Sequence, residues 1–339
     1  MAAAREVIWV YHHSGRGPAL ARLRPGVCPL PACARHSIYG VRVLLTNDDG
    51  IQADGLQALR RALIALPSVE LVVIAPDGNR SAMARSITTR RPLWVQEVDF
   101  EDGTVGYATD GTPVDCVRLA NLGLVEGFEA ELVVAGINHG SNLGDDITYS
   151  GTVAAALEAI ILGLPGIAVS QQSISRELDF RVGGGFDFEV AASFTARLVA
   201  ELQNVPLPEG TLLNINVPGA QPDGVAVARL GKRIYRDELS LIDEDGSHPR
   251  GRRQYRIYGD ATFERDETGT DLAAVAAGQI AVTPIHFDLT DRDGLDALQR
   301  YDLARLVAPA AEEVGEPLTS AGEEPTEPVT PAADEVNER

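Results

Sequence analysis

The sequence predicts an α/β fold built on one doubly wound, mostly parallel sheet. Three observations lead there. Short runs rich in Val, Ile and Leu, at residues 41–45, 69–75, 132–135, 166–171 and 212–217, lack the polar alternation of a half-exposed strand, as strands buried on both faces do. Segments of helical spacing lie between them, and strand-helix-strand order of this kind implies right-handed parallel crossovers. The strand ends also open into polar, glycine-rich loops, the edge at which open α/β sheets bind ligands.

The first run, 41–45, stops at Thr46-Asn47-Asp48-Asp49-Gly50, and a segment with Leu56, Leu59, Leu63 and Leu66 at helical spacing follows from Asp54, placed as its N-cap. The second, 69–75, ends at Pro76-Asp77-Gly78-Asn79-Arg80-Ser81. Residues 93–98 and 105–109 alternate and predict shorter strands. Asp110-Gly111-Thr112-Pro113 is a turn, with Pro113 in the first position of a helix over 114–122. The strand at 132–135 runs into Gly136-Ile137-Asn138-His139-Gly140-Ser141-Asn142, and Tyr149-Ser150-Gly151-Thr152 opens an Ala-rich helix over 153–162.

From Val225 the texture changes. Residues 230–260 are charged and punctuated, with Tyr235, Tyr255 and Tyr258 among arginines. Hairpins at about 225–265 that project for subunit contact, and an irregular surface insertion, both fit that composition. A strand over 281–286 and a short helix over 295–306 close the domain.

Residues 1–40 carry Arg5, Arg16, Arg22, Arg24 and Arg35 against Glu6, with no sustained period, and are expected to lie outside the fold as an appendage or an upstream start. The domain is expected over 41–308. Residues 309–339 hold acidic residues from Glu312 to Glu338 against Arg339 alone, five prolines and few large apolar groups, the composition of a disordered tail. Hydrophobic residues make up 45% of the chain, enough for a core. No stretch approaches the ~20 apolar residues of a membrane span, so no membrane partner is expected. The net charge of -20 argues against a nucleic-acid polymer, whose binding needs clustered Lys and Arg. Cys28, Cys33 and Cys116 offer neither a disulfide framework nor zinc-ligand spacing, which fits a cytoplasmic setting.

Three strand-end loops converge on one edge of such a sheet: Asn47-Asp48-Asp49, Asn79-Arg80-Ser81 and Gly136-Ile137-Asn138. Two adjacent carboxylates raise each other's pKa unless a cation or donor offsets the repulsion. Carboxylate, hydroxyl and amide oxygens without cysteine suit Mg²⁺, Mn²⁺ or Ca²⁺. Ser150-Gly151-Thr152 at a helix N-terminus favours a phosphate. Metal and anion pocket together point to metal-assisted phosphoester hydrolysis. Each piece has a plainer reading: Asp48 and Asp49 as turn caps, Ser81 and Ser150 as helix caps, Asn138 as a left-handed turn residue, His139 as a hydrogen-bonded loop histidine. Their joint placement at successive strand ends is what favours a site.

The segments TNDDGIQADGLQALRRAL, APDGNRSAMARSIT, DGTPVDCV, GINHGSNLGDDITYSGTVAAALEA and VTPIHFDLT, in this order between Val41 and Leu306, resemble the signature segments of the SurE survival-protein family of acid-phosphatase-like 5′/3′-nucleotidases. The resemblance implies a Rossmann-like core with C-terminal β-hairpin extensions used in oligomerisation as a homodimer or homotetramer. It implies one divalent metal ion per subunit, Mg²⁺ or Mn²⁺, and a 5′-nucleotidase that hydrolyses nucleoside 5′- and 3′-monophosphates, with short polyphosphate as a side substrate. The family's metal ligands fall on Asp48, Asp49, Ser81 and Asn138, with Asp48 and Asp49 catalytic. Asn142, Ser150, Gly151 and Thr152 are expected to hold the phosphate. Water and Asp49 both remain open as the nucleophile. Met83 and Ala84 depart from the small, polar residues expected after Ser81 and put the mouth of the pocket in question.

Two rival readings compete with this one. A phospho-acceptor domain also places an acidic pair after its first strand, but needs an acceptor Asp at a third strand end and a later Lys. Here that strand ends in Gly136-Ile137-Asn138 and the only lysine is Lys232. A nucleotide-binding module without turnover is separated from an enzyme by steady release of phosphate.

Overall fold

A computed structural model of the chain describes residues 40–175, 185–205, 207–235, 239–245, 251–257, 262–264 and 267–307. The expected N-terminal extension, except Gly40, lies outside the described residues, as do the acidic tail, Cys28, Cys33 and Tyr258. Backbone contacts divide the chain into units Met1–Phe287 and Asp288–Arg339.

The first unit opens with β1 (Val41–Thr46), α1 (Asp54–Ile64) and β2 (Val69–Pro76), followed by the short β3 (Val95–Asp99) and β4 (Val105–Thr109). Next come α2 (Pro113–Asn121), β5 (Leu132–His139), α3 (Gly151–Ile161), β6 (Gly166–Gln171), α4 (Glu189–Ala200), β7 (Thr211–Val217) and β8 (Gly224–Val227). The rest is β9 (Arg233–Tyr235), β10 (Ser240–Asp245), β11 (Arg252–Arg256), β12 (Thr262–Glu264), α5 (Asp271–Ala276) and β13 (Gln279–His286).

The main sheet has nine strands in the order β3-β4-β2-β1-β5-β6-β7-β13-β8. From β4 to β7 neighbouring strands are parallel, whereas β3 and β13 run against β4 and β7. Both faces are covered, and the alternation of the strands shows it. Val43 and Leu45, Val73 and Ala75, and Leu132 and Val134 pack with Leu56, Leu59 and Leu63 of α1 and Ala191 of α4. Leu44, Ile74, Val133 and Ala135 point the other way, against Cys116 of α2 and Ala155 and Ala159 of α3. Continuous apolar runs without polar alternation follow directly from a sheet buried on both faces.

The chain runs outward from β1 to β2 and β4, then returns to pair β5 on the other side of β1. This reversal opens a crevice at the carboxyl ends of β1 and β5, the topological switch point at which such sheets bind ligands.

Several boundaries differ from expectation. Asp54 is the first residue of α1 and Ala53 its cap, without a side-chain cap bond. The strand expected at 132–135 continues to His139, with a register shift against β6 between Ala135 and Asn138. α4 and α5 were not anticipated. In the second unit, the helix expected over 295–306 is two pieces, α6 (Arg292–Gln299) and a 3₁₀ turn at Leu303–Leu306, because Leu303 N turns back to donate to Tyr301 O. Within the span expected as hairpins, β8 pairs in the main sheet, while β9 with β12 and β10 with β11 form two antiparallel ribbons outside it.

α2 is anchored as expected by Pro113 and by a reciprocal cap. Thr112 Oγ1 accepts from Asp115 N, and Thr112 N donates to Asp115 Oδ2. The same hydroxyl donates to Ser86 O, while Asp115 Oδ1 accepts from Thr88 N, so the cap also pins the loop after β2. Thr112→Ala is expected to cost about 1–2 kcal/mol. Urea unfolding checks this, and a midpoint unchanged from wild type would remove the cap from the account.

Candidate active site

The site begins with the turn that ends β1. Asn47 is fully buried and closes that turn itself, since Nδ2 donates to Gly50 O and Oδ1 accepts from Gly50 N. Asp48 and Asp49 are therefore not spent as turn caps. Gly50 sits at φ +112° with its Cα face against Gly78, and Ile51 N donates to Pro76 O. The loop after β2 is brought over the turn by Arg80 N, which donates to Asp48 O at 2.6 Å.

Asp48 is 2% exposed. Its Oδ1 accepts from Thr152 Oγ1 at 2.6 Å and its Oδ2 from Gly151 N at 3.1 Å. A Cβ on Gly151 would lie 2.8 Å from both Cβ and Oδ2 of Asp48, so only glycine lets the N-terminus of α3 approach the carboxylate this closely. Asp49 is held from the other side: Oδ2 accepts from His139 N at 3.0 Å and Oδ1 from Asn79 Nδ2 at 3.2 Å. Asn79 in turn accepts from Ser81 N through its Oδ1. Ser81 is thus tied to Asp49 through one amide, on an exposed loop.

Burial pushes both aspartates above the ordinary carboxylate range, and the charge of Asp49 adds to the shift of Asp48. Hydrogen bonds from Thr152 and His139 oppose the shifts without cancelling them. Among the described residues neither carboxylate has a salt-bridge partner. Asn138 arrives from β5 just past the register shift. Its Nδ2 donates to Gly140 O at 2.7 Å, which leaves Oδ1 as the atom able to ligate a cation. Among the described residues no group of three or more His, Cys, Asp or Glu is arranged to hold a metal. The set here reaches four donors only by including a hydroxyl and an amide. Hard oxygen donors around one buried and one half-buried carboxylate, neither neutralised by a cation among the described residues, suit a hard divalent cation.

The phosphate candidates all stand at this edge, with their polar groups engaged. Ser150 Oγ accepts from Val153 N, the helix cap of the plainer reading. Gly151 N and Thr152 Oγ1 donate to Asp48. Asn142 is buried, and its Nδ2 donates to Ser170 Oγ. His139, the last residue of β5, is likewise packed and hydrogen-bonded. Its ring stacks on Phe186 and Phe188 at 5.2 and 4.9 Å, Nε2 accepts from Gly55 N, and burial lowers its pKa. Sequence reasoning missed Asn47, Asn79 and the backbone of His139 as the groups that orient the aspartates. Asn79 was legible as a strand-end amide; the other two act through contacts that no spacing reveals.

The family described as Survival protein SurE matches residues 43–237. A protein of Rubrobacter xylanophilus named 5′-nucleotidase SurE is 51% identical over 273 residues, which cover 79% of this chain and 99% of that one. One of the same name from Chloroflexus aggregans is 44% identical over 263 residues, 77% of this chain and 98% of that one. Among solved structures, the SurE protein of Aquifex aeolicus is 37% identical, with a TM-score of 0.62 over 76% of this chain and 98% of that one.

Proposed function

The chain belongs to the SurE survival-protein family, and on that premise we propose that it is a metal-dependent phosphomonoesterase, a 5′-nucleotidase that hydrolyses nucleoside 5′- and 3′-monophosphates to nucleoside and phosphate. Short polyphosphate is a further substrate in this reading. The observation that carries it is the Asp48–Asp49 pair at the switch point, Asp48 buried and Asp49 half-buried, flanked by amide and hydroxyl oxygens and without a cationic partner among the described residues. The names of the relatives support the choice of a nucleoside monophosphate.

In this reading Asp48, Asp49, Ser81 and Asn138 hold one divalent ion, which when bound polarises a phosphoryl oxygen and lowers the pKa of a water. Asp49 keeps its carboxylate in place through the His139 N–H and the Asn79 amide, an arrangement that favours a ligand over a nucleophile, so water attacks phosphorus. Gly151 N and Thr152 Oγ1, which donate to Asp48, stand at the positive end of α3, where a phosphate would be favoured. Ser150 and Asn142 shape that pocket from the cap and the preceding loop. The exposed Leu241, Ile242, Tyr255 and Ile257 of the β10–β11 ribbon support a homodimer or homotetramer joined through the hairpins. Among the described residues no helix is long and apolar enough to cross a membrane, and the cytoplasm is the setting in this reading.

The test is phosphate release from a panel of nucleoside monophosphates with Mn²⁺, Mg²⁺ or EDTA. Release that needs the metal and stops with EDTA is expected. Folded protein that releases no phosphate under any of these conditions would overturn the enzyme and leave a binding module.

A further inference from the structure

The loop between Asn138 and α3 is clamped from below by a buried row of polar side chains in strands that carry none of the proposed ligands. Asn216, fully buried on β7, grips the backbone of Asn142 at both ends: Oδ1 accepts from Asn142 N at 2.8 Å and Nδ2 donates to Asn142 O at 2.9 Å. Asn214 donates to the same carbonyl at 2.9 Å. The side chain of Asn142 is held in turn by Ser170, which is fully buried and stands between Asn138 and Asn216 in the register of β5, β6 and β7.

This matters because of what lies two residues earlier. Gly140 O accepts from Asn138 Nδ2, and Gly140 N donates to Gln171 O. The Gly140 carbonyl therefore decides which end of the Asn138 amide is left for a cation. A bidentate side-chain grip on Asn142 fixes the path of the chain just after that carbonyl.

Resting on the metal-centre reading above, we propose that Asn216 is a positioning residue for the metal: through Asn142 and Gly140 it orients the Asn138 amide so that Oδ1 is presented as a ligand. Buried amides are expensive to leave unpaired, and Asn216 has partners for both its oxygen and its nitrogen on the one residue Asn142. Groups that orient a ligand without touching the metal commonly change metal affinity about 10- to 100-fold when removed.

The experiment is titration of the metal-free protein with Mn²⁺, followed by the electron paramagnetic resonance signal of free Mn²⁺, alongside thermal melts by circular dichroism and phosphate release. Asn216→Ala is expected to raise the Kd for Mn²⁺ about 10- to 100-fold, with turnover restored by excess Mn²⁺. Ser170→Ala, a smaller change that removes only the acceptor of the Asn142 side chain, is expected to raise it less and decides the matter should Asn216→Ala not fold. Thr283→Val is the control. Thr283 is buried opposite Asn214 in the ladder, its hydroxyl has no partner among the described residues, and its loss should leave Kd unchanged. Wild-type protein that binds no Mn²⁺ would overturn the metal centre and this role with it. Wild-type binding matched by folded Asn216→Ala, or by folded Ser170→Ala where that variant decides, would overturn the positioning role alone, as would an equal loss in Thr283→Val.

Discussion

Asp49→Asn is expected to lower kcat/KM for a nucleoside monophosphate by about 10³-fold, because an interaction supplying on the order of 4 kcal/mol of charge stabilisation in the transition state is lost with the ligand. The same substitution is expected to raise the melting temperature of the metal-free protein at neutral pH. Asparagine fills the same volume and removes a half-buried charge that repels Asp48.

The pH dependence separates these effects. Both carboxyls have folded-state pKa values raised above the ordinary 3.8, first by burial. The metal-free folded protein therefore retains protons that the unfolded chain has already released. That stabilisation is complete in acid and falls as pH rises through the raised values. The difference in melting temperature between wild type and Asp49→Asn should accordingly widen between about pH 4 and pH 7. Taking the difference cancels the contribution of Asp146, whose carboxyl is also raised, to about 7, by burial and by Asp145 and Asp271. Adding Mn²⁺ at neutral pH should stabilise the wild type and not the variant. Undiminished turnover by Asp49→Asn in excess Mn²⁺ would remove Asp49 from the metal set.

Gly136→Ala is expected to be the most damaging single methyl in the sheet. Gly136 lies at φ +137°, outside the conformations open to an L side chain, and a Cβ there would sit 2.4 Å from Val169 O. That carbonyl belongs to β6, which is laddered on both sides to β5 and β7, so it has little room to retreat. Strain and clash together should cost on the order of 3 kcal/mol, lowering the melting temperature by roughly 6–12 °C in a domain of this size. Because Asn138 follows two residues later, Mn²⁺ binding should weaken as well. Gly123→Ala is the reference: at φ +86° with no atom within 4 Å of its Cβ, it carries the backbone cost alone, about 1 kcal/mol. Equal melting temperatures for the two variants would show that the close approach to Val169 contributes nothing.

The parallel sheet was legible because burial on both faces writes a continuous apolar run, and β1, β2, β6 and β7 stand where such runs stood. β5 extends beyond the apolar run that predicts it. Its last residues, Gly136 to His139, set glycine and polar side chains around Ile137, which still packs in the core, so the apolar run breaks off where the strand reaches the site. α4 escaped notice for a related reason: its Ala-rich turns carry only a weak polar face, so the period that marks α1 is faint. The site shows the same division. The loops that carry Asp48, Asp49, Ser81 and Asn138 were legible as oxygen-rich strand ends, and the family resemblance singled out those four residues within them. Asn47 closing the turn, Gly151 and Thr152 bonding Asp48, and Asn216 gripping Asn142 were not, because each contact joins residues with no fixed spacing in the chain.

The sequence by itself therefore determined the class of sheet, the edge at which the loops gather and the oxygen-donor chemistry there. Those follow from local hydrophobic pattern and residue type. Only the tertiary structure decided which way each of those groups faces, because orientation is set by hydrogen bonds between strands that fold together from distant parts of the chain.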